Sequence, residues 1–69
     1  MGQQAVPVKV KELIRILEKD GWYLVAFRGS HRQYVHKDKA GRVTVPGKLS
    51  SDLALDTLKS IRRQAGLQE

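Results

Sequence analysis

His31 is the residue of this 69-residue chain with the widest chemical reach, set in the run Arg28-Gly29-Ser30-His31-Arg32. An imidazole exchanges a proton near neutral pH, so it can serve as acid or base in the cell. The second of the two histidines, His36, lies five residues on. An odd separation puts the pair on opposite faces of one extended strand. They cannot share a metal ion, and no acidic cluster stands beside either. The absence of cysteine removes a disulfide scaffold, a thiolate zinc site and a cysteine nucleophile. Ser30 is no better placed as a nucleophile, because neighbours on a strand point apart and no carboxylate is positioned to orient the imidazole. Gly29 opens a hairpin rather than a helix, which rules out a phosphate-cradling glycine loop. Metal-free proton transfer by one imidazole among cations is what remains.

The charge pattern says what such an imidazole would act on. Arg28, Arg32, Lys37, Lys39, Arg42 and Lys48 face Asp38 alone between positions 28 and 48, so this stretch carries +5 of the net +6. A central basic surface of this kind meets a polyanion, nucleic acid before membrane. Basic strands also keep a small protein soluble and blunt its sheet edges, which is the competing reading. RNA cleavage suits the available groups well. The 2′-hydroxyl is an internal nucleophile, and the protein need only move protons and stabilise extra negative charge. His31 is the candidate catalytic residue, with Arg28 cross-strand from it to meet that charge. The candidate RNA contacts are Arg28, Gly29, Ser30, Arg32, Lys37, Lys39, Arg42 and Lys48. No metal or cofactor is expected. A non-catalytic RNA-binding module is the alternative. A double-stranded-RNA reader, however, needs a Lys-rich start to its second helix, and the segment here is Ser51-Asp52-Leu53-Ala54-Leu55-Asp56.

The elements that must hold these residues are legible from periodicity. Val10, Leu13, Ile14 and Leu17 make one apolar stripe, which predicts a helix from about Val8 to Lys19, entered at Pro7 and ended at Gly21. Trp22–Phe27 and His31–Lys37 read as strands joined by a two-residue Gly29-Ser30 turn of type II′. Arg42–Val45 is a third strand. A second helix is expected from Asp56, as its N-cap, to Ala65, with Leu58, Ile61 and Ala65 inward and Gly66-Leu67 as a Schellman ending. The expected fold class is α+β, in the order α-β-β-β-α, with a three-stranded antiparallel sheet and both helices on one face. Regular alternation pairs Arg28 with His31, Ala26 with Gln33 and Leu24 with Val35. It assigns Trp22, Leu24, Ala26, Val35, Val43 and Val45 to the core face, with Arg28 and His31 on its rim by the turn. Tyr23, Val25, Phe27, Arg32, Tyr34 and His36 then form an uncovered docking face.

The whole chain, residues 1–69, reads as a single domain whose residues 1–7 are a flexible N-terminus. No signal peptide and no apolar run of ~20 residues is visible, so a soluble, cytoplasmic protein without membrane contact is expected.

Taken together, Glu12-Leu13-Ile14, Asp20-Gly21-Trp22, Gly29-Ser30-His31-Arg32-Gln33-Tyr34, Val43-Thr44-Val45-Pro46, Thr57-Leu58, Ile61 and Gln64-Ala65-Gly66-Leu67 resemble the HicA family. That family comprises the small toxins of HicA/HicB toxin–antitoxin pairs. The resemblance spans about Val8 to Leu67. It implies a fold like the double-stranded-RNA-binding domain and an endoribonuclease that cuts mRNA and stalls growth. It also implies His31 as the catalytic residue, a HicB-like protein as the neutralising antitoxin, and a toxin monomeric on its own. Asp56 stands where the family commonly has Gly, and Arg62 where it often has an apolar residue.

Overall fold

The computed structural model describes residues 8–67. The chain runs β1 (Val8–Lys9), α1 (Val10–Lys19), β2 (Trp22–Arg28), β3 (His31–His36), β4 (Val43–Val45), β5 (Asp52–Leu53) and α2 (Leu55–Gln64). Strands β2, β3 and β4 form an antiparallel sheet in that order, and β1 pairs with β5 as a separate two-stranded ribbon. The fold is therefore α+β, with the expected helix, three-stranded sheet and second helix. The ribbon was not foreseen. Two residues are too few to show a period, and Val8 was assigned to the helix. Instead α1 starts at Val10, whose N–H donates to Ser51 O at 2.9 Å. The ribbon thus ties the entry of α1 to the approach of α2. The expected entry at Pro7 and the N-terminal segment 1–7 lie outside the described residues.

Each helix ends as its glycine dictates. Gly66 (φ +71°) lets Leu67 N donate to Arg62 O at 2.8 Å and Gly66 N to Arg63 O at 3.1 Å, the two bonds of a Schellman motif. The start of α2 differs from expectation. Ala54 is its N-cap, without a side-chain bond, and Asp56 lies inside the first turn, where its charge faces the positive end of the dipole.

Between helices and sheet lies one apolar core. Val10, Leu13, Ile14 and Leu17 of α1 and Ile61 of α2 pack with Ala65, Trp22, Tyr34, Val43, Val45 and Leu53. Leu58 and Leu67 pack against it, half-buried. Among the described residues, no helix is long and apolar enough to cross a membrane.

Strand parity is where regular alternation fails. Arg28 pairs with His31 and Ala26 with Gln33 as expected, but Leu24 pairs with Tyr34, not Val35. Val25 is the extra residue, a β-bulge that shifts the register between Leu24 and Ala26. Side chains on the turn side of it therefore lie on the faces opposite to those expected: Ala26, Arg28, His31 and Val35 point away from the helices, and Phe27 turns toward them. Tyr34 is accordingly a core residue at 2% exposure, paired with Val43, and not a docking aromatic. Burial raises its hydroxyl pKa, with Glu18 adding to the effect and Arg32 opposing it. Arg32 and His36 also turn to the helix side, opposite Val45 and Trp22 respectively. Trp22, Val43 and Val45 occupy the core as read from the sequence. Leu24 lies half-exposed on the free edge strand β2, and Ala26 and Val35 are only half-buried. Tyr23 pairs with Val35 and Phe27 with Arg32, so these two aromatics belong to opposite faces.

Candidate active site at the hairpin tip

The two histidines have opposite environments. His36 is 9% exposed and fully engaged. Its Nε2 lies 2.6 Å from Asp20 O, while Nδ1 accepts from the N–H groups of Asp38 (2.9 Å) and Lys39 (3.2 Å). With Nδ1 accepting from these two N–H groups, Nε2 is the ring nitrogen left to donate to the Asp20 carbonyl. Trp22 packs edge-on against the ring at 5.2 Å. Gly21 (φ +105°) passes so close that a Cβ there would sit 2.8 Å from His36 Nε2. This imidazole is a brace between the end of α1 and the β3–β4 loop.

His31 is the reverse. It begins β3 directly after the turn, is exposed, and its imidazole has neither hydrogen bond nor ion pair among the described residues. The turn residues explain the placement. Gly29 takes φ +61° and, among the described residues, no non-glycine residue has positive φ, as a type II′ turn over Gly29-Ser30 requires. The tight turn puts Arg28 in register with His31 on the face turned away from the helices. Gln33 shares that face, and Arg42 Nη1 donates to its Oε1 at 2.8 Å. Arg28, His31 and Arg42 therefore border one open, cationic surface.

The turn has a second side. A groove of about 460 Å³ on the helix side is lined by Phe27, Gly29, Ser30 and Arg32 together with Gly47, Lys48, Leu49 and Ser50. Arg32 builds it, donating from Nη1 to Gly47 O at 3.0 Å while its guanidinium lies 5.3 Å from the Phe27 ring centroid. Gly29, Ser30, Arg32 and Lys48 are thus brought together, but on the opposite side of the hairpin from His31.

The remaining candidates separate from this constellation. Lys39 is committed to the fold, with Nζ 2.6 Å from Asp20 Oδ2 and donating to Ala65 O at 3.0 Å. It clasps the ends of both helices. The same bond is the main reason the Asp20 carboxyl is held below its ordinary range, with the charge of Lys39 assisting and desolvation opposing. Lys37 is exposed just beyond the end of β3. Gly47, Leu49 and Ser50 were not read as site residues. Their one signal is an apolar Leu49 in an otherwise polar segment after Pro46-Gly47. Among the described residues, no group of three or more His, Asp or Glu could hold a metal ion.

No curated protein matches the chain in a sequence search. The family model described as the HicA toxin of bacterial toxin–antitoxin matches residues 10–67. That span runs from the first residue of α1 through the hairpin to the Schellman ending of α2, and on this match the chain belongs to the HicA toxin family.

Proposed function

We propose that this toxin is an endoribonuclease that cleaves mRNA at His31 without a metal, and that a HicB-like antitoxin neutralises it. The observation that carries the proposal is the contrast between the two imidazoles: both ring nitrogens of His36 are hydrogen-bonded to the backbone, while the His31 ring is exposed and unpartnered among the described residues. Only His31 is free to touch a substrate. Neutral imidazole removes the proton of a ribose 2′-hydroxyl, the 2′-oxygen attacks phosphorus, and the P–O5′ bond breaks as the leaving oxygen takes up a proton. Arg28, in register with His31, supports the reading because its permanent charge offsets the extra negative charge on the phosphoryl oxygens in the transition state. Membership of a toxin–antitoxin family supplies the biological setting. An antitoxin that covers the hairpin tip would silence the site by exclusion.

The test is cleavage of a defined RNA by the purified protein in EDTA, beside the same RNA carrying 2′-deoxyribose at the cleaved position. Cleavage of the first and persistence of the second are expected. Loss of cleavage in EDTA, or scission at the deoxy position, contradicts the mechanism. Retention of RNA with no turnover would favour a binding module instead.

A further inference from the structure

The groove on the helix side of the hairpin lies outside the proton-transfer site, yet it begins one residue from His31, at Ser30. Its chemistry is distinctive. Phe27 is 59% exposed, unusual for a phenylalanine, and one face of its ring is covered by the Arg32 guanidinium. Arg32 is spent on holding that ring and the Gly47 carbonyl. Lys48, on the facing wall, is exposed and its ammonium has no partner among the described residues. Among the described residues no acidic one lines the groove, and Leu49 adds an exposed apolar floor. A flat aromatic backed by a cation, an apolar neighbour and a free ammonium are the parts of a nucleotide subsite: the ring stacks a base and the ammonium takes a phosphate. The rim between groove and His31 is open as well, since a Cβ on Gly29 would meet nothing within 4 Å.

Resting on the RNA-cleavage reading above, we propose that this groove binds one unpaired nucleotide of the RNA substrate beside the scissile bond. The base stacks on Phe27, the phosphate meets Lys48, and the strand crosses the hairpin at Gly29-Ser30 to reach His31. Arg32 acts as a positioning residue. Charge complementarity selects the occupant, because an exposed apolar patch alone would not be paired with an uncommitted Lys48 and a wall free of carboxylates. Only an unpaired base can present its face to the ring.

The experiment compares wild type, Phe27→Leu and Phe27→Trp on two probes. One is a single-stranded oligoribonucleotide made uncleavable by 2′-O-methylation, read by binding. The other is its cleavable counterpart, read by kcat and KM. Phe27→Leu is expected to weaken binding roughly 5- to 150-fold, the range for losing one stacked base. KM should rise by a similar factor with kcat much less affected, and Phe27→Trp should restore both. Lys48→Ala should reduce the salt slope of binding by about 0.7, the value for one single-strand phosphate contact. If wild type cleaves RNA and Phe27→Leu binds and cleaves like it, the subsite is overturned while the cleavage reading stands. If wild type binds in a Phe27-dependent way but never cleaves, the subsite stands and the cleavage reading falls. Absence of both binding and cleavage overturns both. Melting curves check that Phe27→Leu, a change at an exposed ring, leaves the fold intact.

Discussion

His31 and His36 are the same side chain five residues apart, and their neighbours give them opposite uses. His36 is surrounded by backbone donors and acceptors, so its value is structural, and the residues around it should behave as parts of one brace. Gly21→Ala is expected to cost about 1–3 kcal/mol in denaturant unfolding, because the residue keeps a positive φ and its new Cβ meets the His36 ring. Asp20 gives the brace a pH dependence. Its carboxyl is held below the ordinary 3.8, chiefly by the Lys39 hydrogen bond. A depressed folded-state pKa means that the stabilisation is present above the unfolded value and is lost as pH falls through the folded one. Melting temperatures followed from pH 5 downward should therefore drop less steeply in Asp20→Asn than in wild type. Parallel curves would show that the clasp carries no net stability.

At the scale of elements, the decisive feature is one extra residue. With the bulge at Val25, Tyr34 is core and Tyr23 is surface; with unbroken alternation the two would not differ in this way. Tyr34→Ala should cost about 3–5 kcal/mol, as for a fully buried aromatic. Tyr23→Ala should change stability by roughly 0.5 kcal/mol or less. Equal effects in chemical denaturation would refute the register. The helices, the order of the strands and the Gly29-Ser30 turn were legible because each rests on local chemistry: a 3.6-residue stripe, alternation, or a glycine at a required positive φ. The pairing of Arg28 with His31 follows from the turn alone, but the face they occupy does not: they point away from the helices and not onto the rim of the core face. The faces between Val25 and the turn were not legible, since nothing in Leu24-Val25-Ala26 marks a bulge: Trp22 and Tyr23 lie on the expected faces, whereas Phe27, Arg32, Tyr34 and His36 turn to the helices. The ribbon of Val8–Lys9 with Asp52–Leu53 is not legible for a related reason: its strands are two residues long, too short to declare a period, and far apart in sequence.

Over the whole molecule, the central positive charge divides by use. Lys39 clasps both helix ends, Arg32 builds the groove and Arg42 bonds to Gln33, whereas Arg28, Lys37 and Lys48 have no partner among the described residues. These three can neutralise phosphates without dismantling the fold. Binding of an uncleavable single-stranded RNA should then fall with salt along a slope of roughly −2 in log–log form, at about 0.7 per phosphate. A slope near zero would remove the basic surface as the RNA-contacting one. The central claim is that one exposed imidazole performs the proton transfer while the other holds the fold, and His31→Ala tests it most directly when cleavage rate and melting curve are measured on the same preparation. Cleavage is expected to drop about 10²- to 10⁴-fold, the usual worth of a positioned acid–base group, with the melting temperature unchanged. Wild-type cleavage by a folded His31→Ala protein would contradict the claim.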